Sequence, residues 1–158
     1  EIWNLVFIQY NRGEDGELHD LPDKHVDTGA GFERIVAILN GKFSNYETDL
    51  FIPILEKIVK ITGKELDFEN GAPHRVIADH LRMLSFSIAD GAMPGNEGRG
   101  YVLRRVLRRA ARFGRMLEMK DPFIYQLTDT LCQIMGEAYP ELIEKRKHIE
   151  KVIHNTSR

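Results

Sequence analysis

The hydrophobic pattern of the chain differs between its N-terminal stretch and the remainder. Residues 1–12 carry an apolar run that is typical of a β-strand, and a turn-forming cluster occupies residues 11–16. A second short strand over 17–21 would close a hairpin, with a break at 22–24 and a third extended piece over 25–28. The stretch therefore predicts a small antiparallel β piece, followed by a glycine-containing turn.

From the glycine turn onwards, apolar residues recur at spacings of three and four, which predicts helices. Gly63, Gly91 and Gly114 are expected to end three of them, and Pro73 and Pro140 are well placed to begin two others. The expected helices span residues 31–39, 48–62, 73–90, 101–113, 122–138 and 140 onwards.

The predicted fold class is therefore α+β, mainly α, with a small antiparallel β piece followed by a helical bundle. We divide the chain into residues 1–40 and residues 41–158. The first piece is too small to bury a core of its own, so we expect it to be the edge of a larger sheet. The chain starts in mid-strand without an initiating Met and ends in a helical pattern, which favours a piece of a longer protein.

The composition is that of a soluble globular protein, with 42% apolar and 29% charged residues in a chain of 158. No apolar run is long enough to span a membrane, and no secretory signal is visible. The single cysteine, Cys132, lies in an apolar stripe and is expected to be a buried structural thiol. We therefore expect a cytoplasmic protein. The six histidines show no metal-ligand spacing, so no metal site is expected.

The charge is unevenly distributed, although the net charge is only −2. Residues 99–115 contain seven arginines and no acid, so this segment carries +7 and the rest of the chain carries −9. Arg104, Arg108 and Arg112 share one face of the predicted helix. Guanidinium groups suit phosphates, so the stripe favours an RNA or DNA partner. The alternative is a solvated face that is paired with acids of neighbouring helices.

Two other segments carry candidate chemistry. Asn96 lies in a glycine-rich loop before the arginine helix, where it is either a helix cap or an amide that reads a base edge. Asn4 and Val6 lie on one face of the first strand, and Asp27 precedes the turn Gly29-Ala30-Gly31 with Glu33-Arg34 after it. An acid and an amide in a small pocket would suit an amino group, and Arg34 would suit an anion. Each of these residues also has an ordinary core or turn explanation.

Together these segments resemble the alanyl-tRNA synthetases. The resemblance covers most of residues 1–117, in the family's order, and the remainder is less distinctive. It rests on the segments EIWNLVFIQYNR (1–12), LP (21–22), VDTGAGFERI (26–35), SNY (44–46), RVIADH (75–80), ADG (89–91) and MPGNEGRGYVLRR (93–105).

The resemblance implies that residues 1–40 are the last part of a class II aminoacylation core, including its third motif. In it, Arg34 would contact the ATP phosphates as the catalytic arginine, and Glu1 would lie near the ATP magnesium. Asp27 would bind the alanine ammonium, with Asn4, Val6 and Gly29 lining the same pocket.

The resemblance also implies that residues 41–158 are the helical tRNA-recognition domain. Asn96 would read the G·U wobble pair in the acceptor stem of tRNA(Ala). The supporting phosphate contacts would come from the arginines of this segment: Arg99, Arg104, Arg105, Arg108, Arg109 and Arg112.

Several parts of the family's pattern have no counterpart in these residues. They are the first two class II motifs, a second wobble-pair reader (an Asp), and the editing domain with its zinc ligands. We therefore expect the chain alone to be inactive, with ATP and Mg²⁺ used by the whole enzyme and zinc only in the editing domain. An exposed strand edge also favours self-association. The alternatives are a stand-alone helical RNA-binding module and an editing paralogue of the synthetase.

Overall fold

A computed structural model describes residues 1–67 and 69–157. Within them it contains a two-stranded antiparallel sheet followed by seven α-helices, which confirms the predicted α+β, mainly α class. The chain divides into two compact units, Glu1–Thr48 and Asp49–Arg158.

The first unit is a β-hairpin followed by a short helix. Strands β1 (Trp3–Arg12) and β2 (Leu18–Ala30) pair antiparallel. The expected break in the second strand was wrong, because β2 runs through Pro22 without ending. Instead, the register shifts between Ile8 and Tyr10. Pro22 falls within this bulge, where the ladder does not require the N–H that proline lacks.

Helix α1 (Phe32–Leu39) begins directly after Gly31, as the pattern predicts, and ends at Asn40. Gly41 follows in the left-handed region at φ 64°, which glycine adopts without strain. The expected loop at residues 44–47 contains a short 3₁₀ turn, Asn45–Glu47, which begins where the Ser44 hydroxyl accepts a hydrogen bond from the Tyr46 N–H at 3.3 Å.

The second unit is helical and has a closed core. Fully buried side chains such as Ile54, Leu81 and Leu107 come from three different helices. Helices α3 and α4 pack together most extensively. The helices are α2 (Ile52–Thr62), α3 (Ala72–Ala89), α4 (Gly98–Met116), α5 (Thr128–Met135), α6 (Pro140–Glu144) and α7 (Arg146–Thr156), with a 3₁₀ turn at Ile124–Leu127.

The bounds of helices α2 and α4 differ from the predictions. Helix α2 begins at Ile52 instead of Thr48, which places Pro53 in the first turn, where its missing N–H costs nothing. Helix α4 begins at Gly98, three residues before the expected start, and continues through Gly114 to Met116. A Cβ atom at Gly114 would lie 2.8 Å from Cε1 of Phe123, so this glycine allows close packing and does not end the helix.

The C-terminal helices are more broken than the pattern indicated. The expected helix over 122–138 is a 3₁₀ turn followed by α5, and the last helix is interrupted at Lys145, whose backbone leaves the helical region at φ −98° and ψ 7°. The buried face of α4 is also narrower than expected. Val102 is 51% exposed, and the core contacts fall to Leu103, Leu107 and Ala110.

Candidate functional site

The hairpin places four candidate residues on one face. Asn4 pairs with Gly29 and Val6 pairs with Asp27 in the register of β1 and β2. Directly opposed residues of antiparallel strands point to the same side, and so do residues two apart on one strand. Asn4, Val6, Asp27 and Gly29 therefore form a single contiguous patch, which we call the hairpin patch.

The hairpin patch is open. All four of its residues are exposed, and a Cβ atom added at Gly29 would have no atom within 4 Å. Glycine at this position is therefore not required by packing among the described residues. The patch combines the Asp27 carboxylate, the Asn4 amide and the methyl groups of Val6, which suits a small ligand that carries both an ammonium and an apolar group.

Glu1 joins the hairpin patch to Arg34. The Asn4 amide Nδ2 donates a hydrogen bond to Glu1 Oε1 at 2.9 Å, and Arg34 Nη1 donates to the Glu1 carbonyl oxygen at 2.6 Å. Gly31 makes room for this arrangement, because a Cβ atom there would lie 3.2 Å from Cδ of Arg34. The glycine turn thus allows the Arg34 side chain to fold back towards the strand, where a guanidinium can meet an anion.

The arginine helix α4 presents its charges outwards. Five of the six candidate arginines are exposed and Arg104 is half-buried. Among residues 1–67 and 69–157, none of the six lies within 4 Å of an acidic oxygen in an ion pair. The guanidinium of Arg105 instead lies 5.8 Å from the centre of the Tyr101 ring. The described residues therefore do not support the alternative, in which acids of neighbouring helices form ion pairs with these arginines.

Asn96 shares a groove with these arginines. The groove encloses about 520 Å³ and is lined by Asn96, Tyr101, Arg104, Arg105 and Arg108; we call it the amide groove. The N-cap of α4 is Glu97, which makes no side-chain capping bond, whereas the Asn96 Oδ1 accepts a hydrogen bond from Arg104 Nη1. The structure therefore does not support the helix-cap interpretation of Asn96.

The loop before α4 is held tightly by its glycines. The Gly95 N–H donates to the Gly100 carbonyl at 2.9 Å, and a Cβ atom at Gly100 would lie 2.6 Å from the Met93 carbonyl oxygen. Only glycine permits so close an approach of two backbone segments. This closure keeps Asn96 at the start of the amide groove.

Two residues that sequence reasoning missed lie beside the arginine helix. His80 lines a second groove together with Arg105 and Arg109, and its Nδ1 lies 3.1 Å from Asp79 Oδ2. The hydrogen bond from His80 lowers the pKa of Asp79; partial burial opposes this, and the positive charges of His80, Arg82 and Arg109 add to it. The acid and imidazole are adjacent in sequence, but only the packing of α3 on α4 shows that they face the arginines.

Other candidates show ordinary chemistry. Cys132 is buried as expected, its thiol donates to the Leu142 carbonyl oxygen at 3.3 Å, and burial raises its pKa. Asp15, Glu17 and His19 have ligand-type atoms within 4.8 Å of one another at the hairpin turn, and all three are exposed. Among the described helices, none is both long and apolar enough to cross a membrane.

Comparisons with known proteins show which family the chain is similar to. The family model of the class II (A) tRNA synthetases matches residues 1–157. Alanine–tRNA ligase from Chlorobium chlorochromatii (strain CaD3) is 56% identical over 157 residues, which is 97% of this chain and 18% of the relative. The alanine–tRNA ligases of Nitrosomonas europaea and Fervidobacterium nodosum are 56% and 52% identical over the same shares of the two chains. The chain thus spans about 18% of the length of these relatives.

Proposed function

The chain belongs to the class II (A) tRNA synthetases, and from this premise we propose that it is part of an alanine–tRNA ligase. The whole enzyme activates alanine with ATP, releases pyrophosphate, and transfers the alanyl group to the 3′ end of tRNA(Ala) in protein biosynthesis. Within the chain, residues 1–40 contribute to the aminoacylation core and residues 41–158 contribute to tRNA recognition.

The hairpin patch is the proposed alanine site. The Asp27 carboxylate binds the ammonium group through a charge-assisted hydrogen bond, and Val6 contacts the methyl group. Gly29 leaves the space that a small substrate needs, which is consistent with the open face at that position. Asn4 completes the polar side of the pocket and is held by Glu1.

Arg34 and Glu1 are the proposed ATP-proximal residues. Arg34 stabilises the negative charge that develops on the phosphates, as a fixed cation does in phosphoryl and adenylyl transfer. Glu1 offers a carboxylate oxygen, which is the ligand type that Mg²⁺ prefers, and its exposed side chain fits a role shared with substrate phosphates. Catalysis rests on positioning and charge stabilisation, because no side-chain nucleophile is required.

The observation that carries the tRNA assignment is the amide groove. It brings the Asn96 amide together with Arg104, Arg105 and Arg108, and none of these three arginines forms an ion pair with an acid among the described residues. Arginines that contact phosphates supply affinity, and an amide at a base edge supplies specificity. We assign recognition of the acceptor-stem G·U pair to Asn96, and phosphate binding to the arginines, with Arg99, Arg109 and Arg112 extending the surface.

The remaining parts of the proposal follow from the family. The enzyme is cytoplasmic, uses ATP with Mg²⁺, and carries zinc only in an editing domain outside these residues. The chain by itself catalyses neither step and associates with itself through the exposed edges of the hairpin. A stand-alone RNA-binding module would not need the hydrogen bonds that link Asn4 through Glu1 to Arg34. No described feature favours an editing paralogue.

The decisive experiment is Asn96→Ala in the full-length synthetase that carries this chain. The preference for an acceptor stem with G·U over one with G·C should fall by about 1–3 kcal/mol, which is typical of one good base contact. Aminoacylation of the two tRNA variants measures this preference, and a melting curve of the protein serves as the control. Intact discrimination with a lower melting temperature would reassign Asn96 to a structural role.

A further inference from the structure

The Thr28 hydroxyl joins the two strands of the hairpin through two hydrogen bonds. It accepts one from the indole nitrogen Nε1 of Trp3, and it donates the other to the Asn4 carbonyl oxygen at 3.2 Å. A hydroxyl group has one proton to donate and two lone pairs that accept. Thr28 therefore uses both capacities to hold β2 against two consecutive residues of β1.

These bonds lie directly behind the hairpin patch. Thr28 stands between Asp27 and Gly29 on β2, and its partner carbonyl belongs to Asn4 on β1. Because side chains alternate along a strand, the Thr28 side chain points to the face opposite the patch. Thr28 can therefore act on a ligand at the patch only through the backbone that it holds.

The face that carries Thr28 is otherwise mainly apolar. Trp3, Leu5 and Phe7 occupy it on β1, and Val26 lies opposite Phe7 on β2. A hydroxyl or an indole N–H in such surroundings is costly unless it is hydrogen-bonded. Here the indole N–H bonds to the hydroxyl oxygen and the hydroxyl proton bonds to the backbone, so this link between the strands does not depend on water.

We infer that Thr28 is a positioning residue for the alanine site, which sets the spacing between Asn4 on β1 and Asp27 on β2. This inference rests on the proposed function, because it concerns the same patch. An ammonium group that binds the Asp27 carboxylate beside the Asn4 amide requires both strands at a fixed separation. A two-stranded hairpin determines its own geometry only weakly, and hydrogen bonds weaken steeply when their geometry is poor.

The side of the site that is proposed to face ATP is held by other bonds. Arg34 Nη1 donates to the Glu1 carbonyl oxygen at 2.6 Å, and the Gly31 N–H donates to the Ile2 carbonyl oxygen at 2.9 Å. Neither bond involves Thr28. Loss of its hydroxyl should therefore impair the use of alanine more than the use of ATP, whereas a general loss of structure would impair both.

The test compares Thr28→Val with Thr28→Ser in the full-length synthetase that carries this chain. Valine keeps the branched shape without the hydroxyl, and serine keeps the hydroxyl without the methyl group. In pyrophosphate exchange, Thr28→Val should raise the KM for alanine about three- to tenfold, as expected for one lost hydrogen bond, and leave the KM for ATP nearly unchanged. Thr28→Ser should retain nearly normal KM values for both substrates.

Val26→Ala is the matched control, because Val26 lies on the same face of β2 and has no hydrogen-bonding side chain. It should leave both KM values nearly unchanged. The inference is overturned if Thr28→Val leaves the KM for alanine unchanged or raises both KM values equally. It is also overturned if Thr28→Ser or Val26→Ala is impaired as much as Thr28→Val.

Asp27→Asn separates this inference from the proposed function. If Asp27→Asn leaves the alanine kinetics unchanged, the hairpin patch is not the alanine site, and the positioning role of Thr28 fails with it. If Asp27→Asn impairs alanine use while Thr28→Val does not, the proposed site stands and only the positioning role is wrong.

Discussion

The two units place their apolar side chains in opposite environments. In the hairpin, Trp3 and Phe7 are 63% and 67% exposed, and Val6 on the other face of β1 is 49% exposed. In the helical unit, Ile54 and Leu107 are completely buried. An isolated two-stranded hairpin is at best marginally stable in water. The hairpin thus carries a ligand-sized patch on a weak scaffold, whereas the helical unit carries a charged surface on a closed core.

This contrast predicts that a substitution will act mainly on function in the hairpin and mainly on stability in the helical core. Leu107 lies on the same helix as the arginines but faces inwards with 0% exposure. Leu107→Ala should lower the free energy of unfolding by about 2–5 kcal/mol, because apolar burial decreases and a cavity remains in the core. Urea unfolding of the chain measures the decrease.

The matched control is Leu5→Ala in the hairpin, where the side chain is 58% exposed. Its effect on the unfolding of the chain should stay within about 0.5 kcal/mol, as for most surface substitutions. A destabilisation at Leu5 as large as that at Leu107 would show that the hairpin contributes a packed core, and the contrast between the units would break down.

Asp27→Asn should produce the opposite pattern, with impaired function and little change in stability. The alanine ammonium would no longer have a charged partner, which is worth about 1.5–3 kcal/mol for a charge-assisted hydrogen bond. Alanine-dependent pyrophosphate exchange by the full-length enzyme measures the effect. Unchanged kinetics for alanine would remove Asp27 from the pocket.

The sequence predicted which strands and helices form better than it predicted where each of them ends. The 3.6-residue periodicity correctly indicated α1 and α3, because their apolar stripes and flanking glycines or prolines agree. The sequence pattern wrongly predicts a strand break at Pro22, since a single sequence does not show that a bulge will place this residue where no N–H is needed. The pattern also wrongly predicts a helix end at Gly114, because the contact of this glycine with Phe123 depends on how the segment after α4 packs against the helix.

The candidate sites divide in the same way. Strand alternation predicted that Asn4 and Val6 share a face, and the resemblance grouped Asp27 and Gly29 with them. The register of the hairpin places all four residues on one side. The arginine face followed from helical spacing alone. The contact between Asn96 and Arg104 could not be predicted, because it depends on how the glycine loop closes before α4.

Glycine-to-alanine substitutions give a further test of the difference between the hairpin and the helical unit. Gly114→Ala should gain up to about 1 kcal/mol of helix propensity, but its Cβ would lie 2.8 Å from a Phe123 ring carbon. Overpacking of this kind typically costs about 1–3 kcal/mol, so the net effect should be destabilising. Thermal unfolding tests the sign, and the same substitution in a Phe123→Leu background should cost less or become stabilising.

Gly29→Ala is the corresponding change in the hairpin. A Cβ atom there meets nothing within 4 Å, so the melting temperature should not change. In the full-length enzyme the same methyl group should weaken alanine use, because it occupies the proposed pocket. A clear fall in melting temperature would show that Gly29 has a packing role instead.

Substitutions on the arginine surface should change how RNA affinity depends on salt and should not disturb the packing of the core. Replacing Arg104, Arg108 and Arg112 with Gln should flatten the dependence of RNA affinity on salt, by about 0.7–0.9 in the log–log slope for each phosphate that is no longer neutralised. Titration of the chain with an RNA hairpin at several salt concentrations gives the slope. An unchanged slope would mean that these arginines are neutralised by protein acids.

The smallest expected effect is the contribution of Asp79 to the pH dependence of stability. Because its hydrogen bond with His80 lowers the pKa from 3.8, the folded state favours the charged carboxylate. The resulting stability is present above about pH 4 and is lost as the pH falls through the lowered pKa of the folded state. The side chain is 53% exposed, so solvent screening keeps the contribution below about 1 kcal/mol.

Asp79→Asn should therefore remove a small part of the acid sensitivity, as measured by urea midpoints between about pH 2.5 and 5. The control is Asp121→Asn, an exposed acid on the same unit. If both substitutions change the pH profile equally, the Asp79–His80 contact contributes no specific stability to the arginine face.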